Sequence, residues 1–189
     1  MLSVIIPTEG VERTAVATLA ALVPGAAAGV VREVLLVDCA DDGIIERVAD
    51  VAGCRFLAFK GTRAEALAAG ARHARAPWLM FLHAGAVLDN GWIEETSQFI
   101  GRVSAGDRPR VGVFSYARSP YAEAKLRDGF KYLARMIAGP SAEQGLVIAR
   151  DHYERLGGDA LDGRRSEAWL LRQIGRSSRT VLRSRIIVA

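Results

Sequence analysis

The sequence contains only two cysteines, Cys39 and Cys54, and they form neither a CxxC pattern nor a metal-ligand spacing. A disulfide framework and a cysteine-based metal site are therefore excluded as the basis of the fold. Each cysteine stands at one end of an apolar run, so we expect buried, reduced thiols. Reduced thiols are typical of the cytoplasm, where we place the protein.

The positions of the charged residues also argue against a secretory signal and a membrane span. The N-terminus lacks a basic segment, and acidic residues from Glu9 onward interrupt its apolar run early. Residues 14–31 carry no charge, but Pro24 and Gly25 stand in the middle of that stretch. We therefore expect a helix over 11–23, with Val16, Leu19, Ala20 and Val23 on one apolar face, that ends at Pro24 and is followed by a loop.

Charge is low overall and unevenly placed. A net charge of +4 on 189 residues, half of them hydrophobic, excludes a disordered chain and predicts one globular domain. From residue 164 onward, however, seven arginines face one acid, which gives this segment a charge of +6 and leaves −2 for the rest. Such a segment suits a diphosphate or the inner face of a membrane, or it is a solvated helix and strand.

Nucleic-acid binding is not expected, although the arginine-rich segment could suggest it. Aromatic residues make up only 7% of the chain and are not interleaved with the basic ones. No nucleic-acid-binding motif is present either. The sequence also shows no internal repeat and no low-complexity linker.

Short apolar runs alternate with segments of helical spacing over the first 115 residues. Strands are predicted at 2–6, 33–38, 54–58, 78–82 and 111–115, and helices at 11–23, 44–51, 62–74 and 91–103. This alternation predicts βαβ units, and therefore an α/β fold whose mostly parallel sheet lies between two layers of helices. The later pattern is less regular, with helices predicted at 122–137, 151–156 and 167–174 and strands at 145–149 and 180–183.

Polar side chains stand where the predicted strands end. Thr8 and Glu9 follow the first strand, Asp38 closes the second, and His83 follows the fourth. Ligands of an open parallel sheet bind beyond the carboxyl ends of its strands, where a carboxylate can accept hydrogen bonds from a base or a ribose. Asp41 and Asp42 can instead cap the helix that follows.

The order of these segments resembles glycosyltransferase family 2, which has the GT-A fold. SVIIPT, EVLLVD and GTRAEALAAGARHARAPWLMFLHAGAVL are similar to the family's nucleotide-binding half, and QGLVIARDHYERLGG and SEAWLLRQIGR to its acceptor side. The resemblance covers residues 1–95 well and 143–176 loosely. It implies a single GT-A-like domain over 1–189, with a nucleotide-binding half at 1–105 and an acceptor-side half at 106–189.

The function implied by the resemblance is transfer of a sugar from a nucleotide-sugar to an acceptor, with inversion at the anomeric carbon. The acceptor would be a glycan, a lipid or a small molecule. Thr8, Glu9 and Asp38 would line the nucleoside pocket. Arg63, near the start of a helix, would face the diphosphate or is a solvated helix residue.

Two residues of the later segments, Gln144 and Glu167, receive roles from the same resemblance. Gln144 would lie near the sugar or the acceptor. Glu167 matches the family's catalytic base, which removes the acceptor's proton, or it is a first-turn acid that favours the helix dipole. Independently of the resemblance, the fixed charges of Arg164 and Arg165, just before Glu167, can partly replace a metal at the diphosphate.

The departures from the family pattern concern its metal. The family's Asp-x-Asp holds Mg²⁺ or Mn²⁺ on the diphosphate, but His83, Ala84 and Gly85 stand in its place. We therefore assign no metal ligand, and expect His83 either to bond a phosphate oxygen or to be held by backbone. The missing acids also support a second hypothesis: a catalytically silent relative that binds a nucleotide or a partner without transfer.

Overall fold

One eight-stranded sheet forms the centre of the protein. The structure, a computed structural model, describes residues 1–40, 42–106, 108–117, 145–158, 170 and 172–188. The strands are, in chain order, β1 (Leu2–Thr8), β2 (Val31–Asp38), β3 (Arg55–Ala58), β4 (Trp78–Phe81), β5 (Ala86–Leu88), β6 (Val111–Ala117), β7 (Leu146–Ala149) and β8 (Arg179–Val188).

The strands lie side by side in the order β3-β2-β1-β4-β7-β6-β8-β5. β1 pairs in parallel with β2 and β4, β2 with β3, and β6 with β8. β7 is antiparallel to both of its neighbours, and β5 is antiparallel to β8. The predicted mostly parallel α/β sheet is therefore confirmed.

Helices cover both faces of this sheet. They are α1 (Glu12–Ala27), α2 (Ile44–Ala52), α3 (Arg63–His73), α4 (Trp92–Ser104) and α5 (Arg150–Arg155). Side chains of β1 alternate between the two faces, so Val4 packs with α1, α2 and α4 while Ile5 packs with α3 and α5. The three predicted layers are thus present, with one apolar core on each side of the sheet.

Helix α1 corrects the prediction that Pro24 ends the first helix. The helix continues to Ala27, and the N–H of Ala28 donates to the carbonyl oxygen of Pro24 at 2.9 Å. Gly25 explains why, because it is buried so closely against Trp92 that an added Cβ would lie 2.4 Å from the ring. The face predicted from the spacing is buried only in part: Leu19 is 9% exposed, but Val16 and Val23 are 47% and 62% exposed.

The C-terminal strand β8 is longer than the predicted strand at 180–183. It passes through a bulge, since Phe114 of β6 pairs with Leu182 whereas the next residue, Ser115, pairs with Arg185. Beyond the bulge β8 pairs with β5, a three-residue strand that the sequence did not reveal. A bulge interrupts the period-two alternation, so the sequence pattern ends where the strand does not.

Two of the later predictions fall wholly or partly outside the described residues. The helix predicted at 122–137 lies outside them. Of the helix predicted at 167–174, only residue 170 and residues 172–174 are described, and 170, 172 and 173 are helical. The division into halves at residue 105 stays a prediction. In the part of the chain that the structure describes, no helix is long and apolar enough to cross a membrane.

Candidate functional site

The ends of β1 and β2 form the centre of the candidate site. Thr8 pairs with Asp38 in the sheet, and each is only 1% exposed. The Thr8 hydroxyl donates to Oδ1 of Asp38 at 2.8 Å, and the backbone N–H of Gly10 donates to the same oxygen at 3.0 Å. A buried carboxylate needs such donors. The position of Asp38 at the carboxyl edge of the sheet is therefore fixed by two neighbours.

Gly10 is a functional position that the sequence analysis did not identify. Its φ of 75° lies in the left-handed region, and an added Cβ would lie 2.7 Å from Oδ2 of Asp42. Only glycine fits this turn without strain, and the turn aims the N–H at Asp38. The sequence signal was the glycine two residues after the strand. Asp42 itself accepts a hydrogen bond from the N–H of Ile44 at 3.0 Å, but the N-cap residue of α2 is Gly43, so Asp42 precedes the cap rather than forming it.

The pKa of Cys39 depends on the charged side chains near the site. Burial raises the pKa of its thiol, and the negative charges of Asp38 and Glu9 raise it further, while the positive charge of Arg63 lowers it. These four side chains therefore share one neighbourhood. The net rise keeps Cys39 protonated and unreactive at neutral pH. Both cysteines are free, as predicted, but each is half-buried rather than buried.

Arg63 is the first residue of α3 and is half-buried. The helix start is closed by a capping box: Thr62 Oγ1 accepts from the N–H of Glu65 at 3.3 Å, and Glu65 Oε2 accepts from the N–H of Thr62 at 2.7 Å. The carboxylate of Glu65 thus already occupies the helix N-terminus. The guanidinium of Arg63, rather than the end of the helix, is the positive group this element brings to the site.

The loop after β4 is fixed to α1 through its backbone. The N–H of Leu82 continues the sheet by donating to Ile5, and the N–H of Gly85 donates to Thr18 Oγ1 and to the Thr14 carbonyl oxygen, each at 2.9 Å. The hydroxyl of Thr18 also reaches the carbonyl oxygen of His83 at 3.4 Å. These bonds fix the backbone of His83, and the role of its ring stays a prediction. The two threonines, one turn apart on α1, are supports that the sequence analysis missed.

Divalent cations of the Mg²⁺ type require several oxygen ligands. In residues 1–40, 42–106, 108–117, 145–158, 170 and 172–188, no three His, Cys, Asp or Glu side chains come together as a metal site. His83 offers a ring nitrogen, and Oδ1 of Asp38 already accepts two hydrogen bonds. The described residues therefore do not fit a metal at this edge.

Several predicted site residues lie outside the described part of the chain, namely Gln144, Arg164, Arg165 and Glu167, together with Asp41. Their roles stay predictions. β7 starts two residues after position 144, and its first residue pairs with Phe81 at the end of β4. Of the remaining arginines of the basic segment, Arg183 and Arg185 are exposed on β8, whereas Arg179 is half-buried and donates through Nε to Ile174.

The geometry can be compared with known proteins. No family model and no curated protein matches the sequence. Glucosyl-3-phosphoglycerate synthase from Mycobacterium tuberculosis, solved with Mn²⁺, UDP and glucosyl-3-phosphoglycerate, has a similar structure, with a TM-score of 0.66, 17% identity, and coverage of 100% of this chain and 70% of that chain. S. aureus TarS 1-349 gives a TM-score of 0.70 at 15% identity, and its complex with UDP gives 0.68; this chain is covered fully and that chain to 60%. The chain has a GT-A fold.

The likeness extends over the whole length of this chain but over only 60% to 70% of those proteins. The TM-scores of 0.66 and 0.70 establish the fold. At identities of only 15% and 17%, the activity has to be argued from the site. Of the residues predicted to bind the donor, Thr8 and Asp38 are in direct contact, and the charges of Glu9 and Arg63 act on Cys39, the residue after Asp38. His83 follows β4, the neighbour of β1 on its other side.

Proposed function

We propose that this chain binds a nucleotide-sugar at the edge formed by Thr8, Asp38 and Arg63 and transfers the sugar to an acceptor, a glycan, a lipid or a small molecule. The observation that carries the proposal is the fixed Asp38 at the end of β2 in a GT-A fold. Solved structures of this fold hold UDP in the two proteins named above. Membership in glycosyltransferase family 2 is part of the same proposal.

Asp38 is suited to the nucleoside. Its Oδ1 is occupied by Thr8 and Gly10, but no donor among the described residues reaches Oδ2. That oxygen can accept a hydrogen bond from a base or a ribose hydroxyl. Arg63 lies on the neighbouring helix, and its fixed charge and forked donors are suited to a diphosphate.

The transfer itself would be an inverting displacement. The acceptor oxygen forms a bond to the anomeric carbon as the bond from that carbon to the diphosphate oxygen breaks, and the diphosphate leaves with the electron pair. Glu167 would take the acceptor's proton. The negative charge that develops on the diphosphate must be stabilised, which is commonly the largest catalytic contribution. Arg63, Arg164 and Arg165 would supply that stabilisation.

A panel of nucleoside diphosphates and nucleotide-sugars, screened by thermal shift with Mn²⁺ and with EDTA, tests the binding step. A ligand that binds only the folded state stabilises it by about 2.7 kcal/mol at a hundredfold excess over its dissociation constant. We expect one nucleotide to raise the unfolding midpoint equally in Mn²⁺ and in EDTA, and the shift to shrink with salt. Stabilisation that requires Mn²⁺ would show that a further acid supplies metal ligands.

The second candidate function, nucleotide binding without transfer, is favoured by one observation. The loop after β4 carries no carboxylate, and its backbone is bonded to α1 instead. Glu167→Gln separates the two candidates. If Glu167 is the base, the variant keeps donor affinity and loses turnover by roughly 10²–10⁴-fold. Wild-type protein that binds the donor but neither hydrolyses nor transfers its sugar to any acceptor would establish the silent alternative.

A further inference from the structure

A cleft of about 480 Å³ lies at the edge of the sheet opposite to Thr8 and Asp38. It is formed by the C-terminal end of α4, the residues before β6, and the start of β8. β6 is antiparallel to β7 and β7 to β4, so β6 runs in the same direction as β1, and β8 is parallel to β6. The starts of β6 and β8 therefore mark the amino edge. This cleft is separate from the proposed donor site.

Three arginines line the cleft, Arg102, Arg108 and Arg110. None of them forms an ion pair with a carboxylate among the described residues, where the ion pair found is that of Arg55 with Glu33. Arg102 donates only through Nε, to the carbonyl oxygen of Gln98 at 3.3 Å, which leaves its terminal nitrogens available. Three like charges around one cleft repel one another, and an anion bound between them would remove that repulsion.

The remaining walls indicate what kind of anion fits. Phe99 and Val103 supply apolar surface, and Thr180 lies on the β8 side. The volume is within the range of small-ligand sites. Guanidinium groups form paired hydrogen bonds with phosphate and carboxylate oxygens, and a phosphate offers more oxygens and more charge to several guanidinium groups at once. We propose that this cleft binds the phosphate group of a ligand, either a soluble phosphate ester or the headgroup of an anionic phospholipid.

A structural role for the same arginines makes a different prediction. The last carbonyl groups of α4 carry a partial negative charge, and cations near a helix C-terminus stabilise the helix. In that case replacing the arginines lowers the unfolding midpoint and does not change anion binding. The experiment must therefore measure both the stability of each variant and its binding of the anion, and it must locate the bound anion by residue.

Two-dimensional ¹H–¹⁵N NMR during a titration with inorganic pyrophosphate provides both readings. We expect the amides of residues 102–106 and of Thr180 to shift, and the amides of Gly10 and Cys39 to report the donor site separately. The double variant R108Q/R110Q should raise the dissociation constant of the cleft at least tenfold at an unchanged unfolding midpoint. The matched control R13Q/R47Q removes two exposed arginines of α1 and α2 and should bind as the wild type does.

Vesicles identify the source of the phosphate. A lipid headgroup is identified if the protein floats with phosphatidylglycerol vesicles but not with phosphatidylcholine vesicles. In that case pyrophosphate should displace the protein from the vesicles, and R108Q/R110Q should abolish flotation. Pyrophosphate binding without flotation would identify a soluble ligand. The proposal is overturned if the cleft amides do not respond to pyrophosphate, if R108Q/R110Q binds as tightly as the wild type, or if the control loses binding equally. None of these outcomes depends on the donor site.

Discussion

At the scale of single residues, the candidate site rests on a hydroxyl that supports a carboxylate. The side chain of Thr8 was predicted to line the nucleoside pocket, but its hydroxyl hydrogen is directed at Asp38 Oδ1, 2.8 Å away. Thr8 therefore acts by positioning Asp38. The sequence identified both residues from their place at the strand ends, whereas the bond between them follows from the register of two strands 30 residues apart.

Thr8→Val tests this support. Valine keeps the shape of threonine and removes the donor, which leaves a buried carboxylate with one partner fewer. We expect the free energy of unfolding to fall by about 1–3 kcal/mol, measured by urea denaturation. Thr14→Val is the matched control, because the Thr14 hydroxyl bonds only to the local carbonyl oxygen of Val11. An equal fall in the free energy of unfolding of both variants would show that the Thr8–Asp38 bond does not stabilise the protein more than a local hydroxyl bond does.

At the scale of elements, α1 shows where sequence patterns fail. Proline in a helix removes one hydrogen bond and favours termination. The helix nevertheless continues, because Gly25 packs against Trp92 on α4, 67 positions further along the chain. A local rule cannot include such a distant contact. For the same reason, the exposure of Val16 and Val23 could not be predicted from spacing alone.

Gly25→Ala tests that contact. The added Cβ would lie 2.4 Å from the ring of Trp92, so the buried ring or one of the two helices must shift. Overpacking of this kind costs typically about 1–3 kcal/mol. Gly101→Ala on α4 is the control, since nothing lies within 4 Å of its added Cβ, and alanine there should stabilise by roughly 0.5–1 kcal/mol. Calorimetric unfolding of the two variants should thus give changes of opposite sign, and a stabilised Gly25→Ala would refute the packing account.

Two carboxylates bind backbone N–H groups at the bulge of β8: Glu95 of α4 binds Arg183 and Ser184, and Asp89 binds Arg185. Glu95 accepts hydrogen bonds from the N–H groups of Arg183 and Ser184 and from the Ser184 hydroxyl, each at 2.6 Å. Burial alone would raise the pKa of Glu95, but these bonds outweigh burial and hold the pKa below its ordinary value. A carboxyl whose pKa is lowered by folding contributes stability above its unfolded pKa and loses it as pH falls through the folded pKa.

Glu95→Gln should therefore make unfolding less sensitive to acid. We expect wild-type stability to decline as pH falls below the ordinary glutamate range, and the variant to be less stable at neutral pH but to lose less on acidification. The pKa of Glu33 is lowered by a similar set of bonds. Glu33 is present in both proteins, so part of the pH dependence of stability remains in the variant. Urea denaturation across pH, with the exposed Glu94→Gln as control, measures the difference. Parallel pH curves for all three proteins would contradict the assignment.

At the scale of the whole molecule, the alternation of strands and helices was sufficient to predict an α/β fold with a mostly parallel sheet, whereas the GT-A fold was expected from the resemblance. Parallel topology then places the ends of β1, β2 and β4 on one edge, so Thr8, Asp38 and His83 could be assigned to that edge before any contact was known. The supports could not be predicted, because the capping box that occupies the start of α3 and the α1 threonines that hold the loop after β4 act through tertiary contacts. The pairing of β5 with β8 likewise joins residues about a hundred positions apart.

The central claim is that Asp38 belongs to a nucleotide site. Titration calorimetry, with the nucleoside diphosphate that stabilises the protein most and with EDTA present, tests it most directly. Asp38→Ala should weaken binding at least tenfold, and Asp38→Asn, which keeps an acceptor for Gly10, provides a second folded variant. Asp50→Ala, an exposed acid of α2, should bind as the wild type does. Wild-type affinity in either folded Asp38 variant would contradict the account.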